Sequence, residues 1–146
     1  MKTRRSIAFA ICRIFFVVLF TYTFVTKFID FENFKEQIHF APLLGAFAVL
    51  TAYAVLILLF LAILLLSFQR TQVQGIQLTI VLLSLFTLYN TILLVLFENL
   101  PCSCIGFYEK WTWEMNLRVN IGLLLIAVFG FSAFHYKLTK KKLRRS

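Results

Sequence analysis

Two of the chain's three cysteines stand one residue apart, in the run Pro101-Cys102-Ser103-Cys104-Ile105-Gly106. Thiols at that spacing can cycle between a dithiol and a disulfide. A ring closed across a single intervening residue is tight, and strained disulfides are the more oxidising and the more readily exchanged. As a staple such a bridge does little, because so short a loop removes little chain entropy. The spacing also admits an inert disulfide, two ordinary interface thiols, or a share in a partner's metal site, since Cys-x-Cys is less diagnostic than a paired Cys-x-x-Cys framework. A metal site within the chain lacks ligands: only His39 and His135 accompany the cysteines, and His135 belongs to the opposite side of the molecule. Neighbouring charges divide, with Glu98 and Glu109 opposing thiolate formation and Lys110 favouring it.

The remaining candidates are more sparsely placed. Cys12 lies roughly 20 Å along a helix from the side that carries the Cys pair, at 1.5 Å per residue. It is expected to be a small buried apolar side chain that never exchanges with Cys102 or Cys104. Asn90 falls inside an apolar stretch, where such a group is expected to join helices by a hydrogen bond and could alternatively contact a quinone. Asn116 and Asn120 open the last apolar stretch and either cap it or face the Cys loop. The Phe-rich stripes read as packing and lipid contact.

The elements that must position these groups are transmembrane helices. Of 146 residues, 61% are hydrophobic and only 14% charged, with 18 Phe against 5 Gly and 2 Pro. A soluble domain is nearer half apolar and a quarter charged. Four apolar stretches, at about 7–26, 43–68, 76–97 and 117–136, each approach or exceed the roughly 20 residues that cross a bilayer as a helix. Lipid leaves no alternative, since every backbone polar group there must be bonded within its own segment. The reading is a single domain, 1–146, all-α, folded as a four-helix transmembrane bundle. Arg13 is expected to snorkel from the first stretch to the headgroups. That stretch has a basic start but no small-x-small site after it, so it reads as an uncleaved anchor and not a signal peptide. Pro42 fits the first turn of the second helix, and Pro101 ends the third.

Charge gives the orientation. The termini and the loop at 69–74 hold eleven of the fifteen basic residues and no acidic one, whereas all six acidic residues fall on the other side. The positive-inside rule then predicts both termini in the cytoplasm, at an inner or cell membrane, and the Cys-x-Cys loop outside, where disulfides persist. Tyr22, Tyr108, Trp111 and Trp113 fall near the outer interface, and the basic tail from residue 137 is expected to lie on anionic lipid. The charge of +9 therefore reports topology. No zinc-finger, RNP or helix-turn-helix pattern accompanies it, which excludes nucleic acid as a partner. A transporter is disfavoured, because no charge sits mid-span and no span is interrupted by Gly or Pro at mid-depth.

The run Pro101-Cys102-Ser103-Cys104-Ile105-Gly106, followed by Glu109, Trp113 and Asn120, resembles the MauE-type methylamine utilisation membrane proteins within the broader DoxX-like group. The first outer loop, Lys27-Phe28-Ile29-Asp30-Phe31 with Phe34, is similar too, as are the number and order of spans. The resemblance implies a four-helix bundle associated with disulfide formation or thiol transfer to exported proteins. In methylamine users it implies maturation of the disulfide-rich small subunit of methylamine dehydrogenase. Cys102 and Cys104 match the family's Cys-x-Cys and are the redox pair it implies. Two positions depart from the pattern: Phe24-Val25-Thr26 replaces a small residue before the Lys, and the second span lacks an acidic residue. The expected function is thus an accessory thiol-redox protein, not a stand-alone enzyme, acting on a thioredoxin-like or disulfide-containing exported partner. Its electrons pass to a membrane quinone or to a partner's second dithiol, and the lack of a second outer Cys pair favours the partner. The alternative is a non-redox assembly subunit of a membrane complex.

Overall fold

The structure, a computed structural model, describes residues 2–40, 43–96 and 113–145. Five α-helices and one short 3-10 turn account for nearly all of these residues, and no strand occurs among them. Helix α1 runs Lys2–Ile29, α2 Phe31–Phe40, α3 Ala48–Ser67, α4 Gln72–Leu96 and α5 Trp113–Leu143, with the 3-10 turn Gly45–Phe47 leading into α3. Helices α1, α3, α4 and α5 are long and apolar enough to cross a bilayer. The chain is a multi-pass membrane protein of four spans. Around the bundle each helix touches two neighbours, in the order α1, α3, α4, α5 and back to α1.

One stripe of each span faces inward. On α3 it is Ala48, Ala52, Leu56, Leu59, Ala62 and Leu66; on α1 it is Phe9, Cys12, Phe16, Phe20, Thr23 and Lys27. Steps of three and four residues keep each set on one side of a 3.6-residue helix. The other sides are as apolar and exposed, among them Ile11, Val18, Leu50, Ile57, Leu85, Leu125 and Phe129. Water would penalise so large an apolar surface, whereas lipid accepts it. Serine and threonine hydroxyls inside the spans donate back to carbonyls of the preceding turn, as Thr79 does to Gly75 at 2.9 Å and Thr87 to Leu83 at 2.7 Å. Those groups are satisfied without leaving their own helix.

Small residues set the closest approaches. A Cβ at Gly75 would come within 2.8 Å of the Leu66 backbone nitrogen, so α3 and α4 meet backbone to backbone beside their short turn. Thr71 closes that turn by donating its hydroxyl to the Leu65 carbonyl at 3.0 Å. Across the bundle Gly130 leaves room for the Cys12 sulfur, which a Cβ would approach to 2.7 Å.

Two features differ from expectation. Residues 31–40, read as loop, form the amphipathic helix α2, which lies on α3 through Phe34 and Ile38 against Ala48 and Ala52. Asp30 and Asn33 open it with a 2.7 Å side-chain hydrogen bond, and Lys35 pairs with Glu32 at 2.6 Å. That hydrogen bond to the carboxylate raises the Lys35 pKa above its ordinary value. The Arg13 guanidinium reaches toward the N-terminal end of α1 and donates to the Gln72 side-chain oxygen at 2.9 Å, at the start of α4. The basic tail continues α5 as helix to Leu143. The expectations for Pro42 and Pro101 lie outside the described residues.

Candidate functional site

The termini of the chain and the α3–α4 turn share one end of the bundle, called here the terminal end. The opposite end, the loop end, is where α1 and α4 finish, at Ile29 and Leu96, and where α5 begins at Trp113. Buried polar groups are distributed unevenly between the two. Thr23 and Lys27 on α1, Asn90 on α4, and Asn116 and Asn120 on α5 all lie within about two helical turns of the loop end. The terminal half is apolar, with Phe9, Cys12, Phe16, Leu66, Ile76 and Ala127 in its core; its buried Thr79 is satisfied by Gly75.

Helices α1 and α5 build most of this polar layer by the same means, and α4 adds the single Asn90. Thr23 and Lys27 are four residues apart, as are Asn116 and Asn120, so each pair lies on one helix face. Each pair extends the inward apolar stripe of its helix, so helical geometry turns the polar groups into the bundle.

Lys27 is the notable member. Its side chain is only 8% exposed, and its ammonium lies 5.0 Å from the centre of the Phe34 ring, a cation–π contact from the α2 cap. The Thr23 hydroxyl donates to the Leu19 carbonyl at 2.9 Å, which leaves its oxygen as an acceptor. Asn120 is 3% exposed, and its Oδ1 is buried with no hydrogen-bond partner. A buried amide oxygen in that state costs about 1–3 kcal/mol.

These three groups line one cavity of about 30 Å³ together with Phe20, Phe34, Leu83 and Phe86. All four spanning helices and α2 contribute to its wall. Its volume is close to one water molecule's share of the liquid, and its polar groups lie on α1 and α5.

The predicted residues divide as follows. Cys102 and Cys104 lie outside the described residues, as do Glu98, Glu109 and Lys110. Cys12 is buried in the terminal half, with its thiol 3.6 Å from the Ile126 carbonyl, as a small packed side chain. Asn90 is buried as expected, but among the described residues its side chain makes no helix-joining hydrogen bond. Asn116 and Asn120 face the bundle interior and not a cap. Lys27 belongs to the first outer loop by its place in the chain, and the structure turns it inward. The signal for it was present: polar residues four apart within an apolar stretch mark an inward face. No group of three His, Cys, Asp or Glu that could hold a metal occurs among the described residues.

Comparison with known proteins agrees with the architecture. No curated protein and no solved structure matches the chain. Residues 5–133 match the model of a family described as methylamine utilisation protein MauE, which spans most of the sequence. The match begins before the first span and ends within α5, so it takes in all four spanning helices, and the chain belongs to the MauE family.

Proposed function

We propose that this protein is a membrane thiol-redox accessory factor of methylamine utilisation, in which Cys102 and Cys104 are the exchanging pair. The reading is supported by one observation above the rest. Helix α4 ends and α5 begins at the end of the bundle where the buried polar groups collect, and both cysteines fall between these two helices in the sequence. The third cysteine is packed in the other half and is unsuited to exchange.

In this reading the loop end is extracytoplasmic and the termini are cytoplasmic. A thiolate of the pair attacks a disulfide of an exported protein, or an exported dithiol attacks the Cys102–Cys104 disulfide, through a mixed disulfide in either direction. The partner is thioredoxin-like or rich in disulfides, and in methylamine users the candidate is the small subunit of methylamine dehydrogenase.

Trapping tests the proposal. Cys104→Ser leaves Cys102 without its resolving thiol, so a mixed disulfide with an exported protein accumulates and runs as a heavier band on a non-reducing gel. Absence of any adduct, with full activity of the Cys102→Ser/Cys104→Ser protein, would instead favour a non-redox assembly subunit.

A further inference from the structure

Helix α4 packs on α3 and α5 and leaves its remaining side uncovered. Gln74, Gln77, Val81, Ser84, Leu88 and Thr91 are all exposed on that side. Their spacing alternates three and four residues, which gathers them on one face. At about 100° of turn per residue, that face lies opposite the buried Thr79, Asn90 and Leu93.

The face is more polar than lipid contact calls for. Ser84 stands at the middle of α4, and Gln77 lies within its first quarter, inside the stretch that crosses the bilayer. Thr79, Thr87 and Thr91 each donate a hydroxyl proton to a carbonyl of the preceding turn. Among the described residues, neither Ser84 nor the Gln77 amide hydrogen-bonds within the chain. No other span carries a glutamine. Polar side chains within spans ordinarily face protein, where they bond across helices, because hydrocarbon offers them no partner.

We infer that this face of α4 is the seam of a homodimer, packed in parallel against α4 of a second copy about a twofold axis along the membrane normal. Copies inserted in one orientation hold identical residues at identical depth, so Gln77 and Ser84 each meet their own counterpart. An amide carries both a donor and an acceptor, as does a hydroxyl, so each group is its own complement. A different helix would have to offer matching groups at the same two depths, whereas a second copy does so by symmetry. The alternation of three and four is the repeat of a left-handed helix pair crossing at roughly 20°, and a polar residue in such a seam fixes its register. A twofold contact also closes on itself. The dimer goes beyond the thiol-redox reading and does not depend on it.

The test uses the full chain carrying Cys12→Ala, Cys102→Ser and Cys104→Ser, reconstituted in phosphatidylcholine vesicles where only a second copy is available. Single cysteines are introduced on the seam by Ser84→Cys or Leu88→Cys. Ile57→Cys on α3 and Leu125→Cys on α5 mark other exposed faces. Oxidation by copper phenanthroline links the seam variants into a band of doubled mass and leaves the other two monomeric. Linking alike at all four positions, at none, or only on α3 or α5 overturns the seam. A Ser84→Cys adduct with another protein in native membranes, without a dimer in vesicles, overturns it by making the occupant a different chain. Energy transfer between fluorescent proteins fused after Ser146 gives a second readout. Gln77→Leu raises the protein-to-lipid ratio for half-maximal transfer about three-fold or more, whereas Leu125→Ala leaves it unchanged. Equal ratios in Gln77→Leu and wild type, with helicity by circular dichroism intact, count against the inference.

Discussion

At the scale of single residues, the protein carries a buried amide oxygen that makes no hydrogen bond and a buried lysine whose ammonium sits over a ring. Asn120→Leu removes a desolvated, unpaired acceptor, so resistance to unfolding in detergent should rise by about 1–3 kcal/mol. SDS titration checks it; a stability loss would mean that the amide has a structural partner. Cys12 makes the contrasting case. Its thiol is packed against Ile126 and Gly130, so Cys12→Ala should leave partner trapping through Cys102 unchanged, as judged by the same non-reducing gel.

At the scale of elements, glycines separate close helix contacts from tolerant ones. A Cβ at Gly75 meets the Leu65 and Leu66 backbone, which cannot rotate away, whereas a Cβ at Gly122 meets nothing within 4 Å. Gly75→Ala is expected to destabilise the bundle by about 1–3 kcal/mol, the usual cost of overpacking. Gly122→Ala is expected to be neutral or to stabilise α5 by up to about 1 kcal/mol through helix propensity. Thermal unfolding of the two variants in one detergent checks the pair, and equal behaviour would contradict the α3–α4 approach described. Helix α2 shows where element-level reading falls short. Its ten residues, Phe31–Phe40, are too short and too charged to register as a span, yet their apolar face finds Ala48 and Ala52 on α3. Only that docking surface makes the segment a helix worth forming, because isolated helices of this length are marginal.

At the scale of the whole molecule, the charge asymmetry gives a topological prediction. An alkaline phosphatase fused after Ser103 should be active and one fused after Ser146 inactive, which places the loop end outside; the reverse pattern would remove the Cys pair from the compartment where disulfides persist. Four helices and their approximate limits were legible in sequence because lipid imposes one rule, long apolar runs with satisfied backbones, that composition alone reveals. The family resemblance was legible from short motifs outside the spans, the run 101–106 and the segment from Lys27, together with the number and order of the spans. Which face of each helix turns inward was not legible from hydrophobicity, because the spans are apolar on every side and a uniform surface carries no direction. Packing decided it, through the small residues Ala52, Ala62, Gly75 and Gly130 that let backbones approach. Packing also decided that Lys27, an outer-loop charge by its place in the chain, lies buried with Thr23 and Asn120: a charge follows the helix that carries it, and that helix is held by Phe9, Phe16 and Phe20 in the core below.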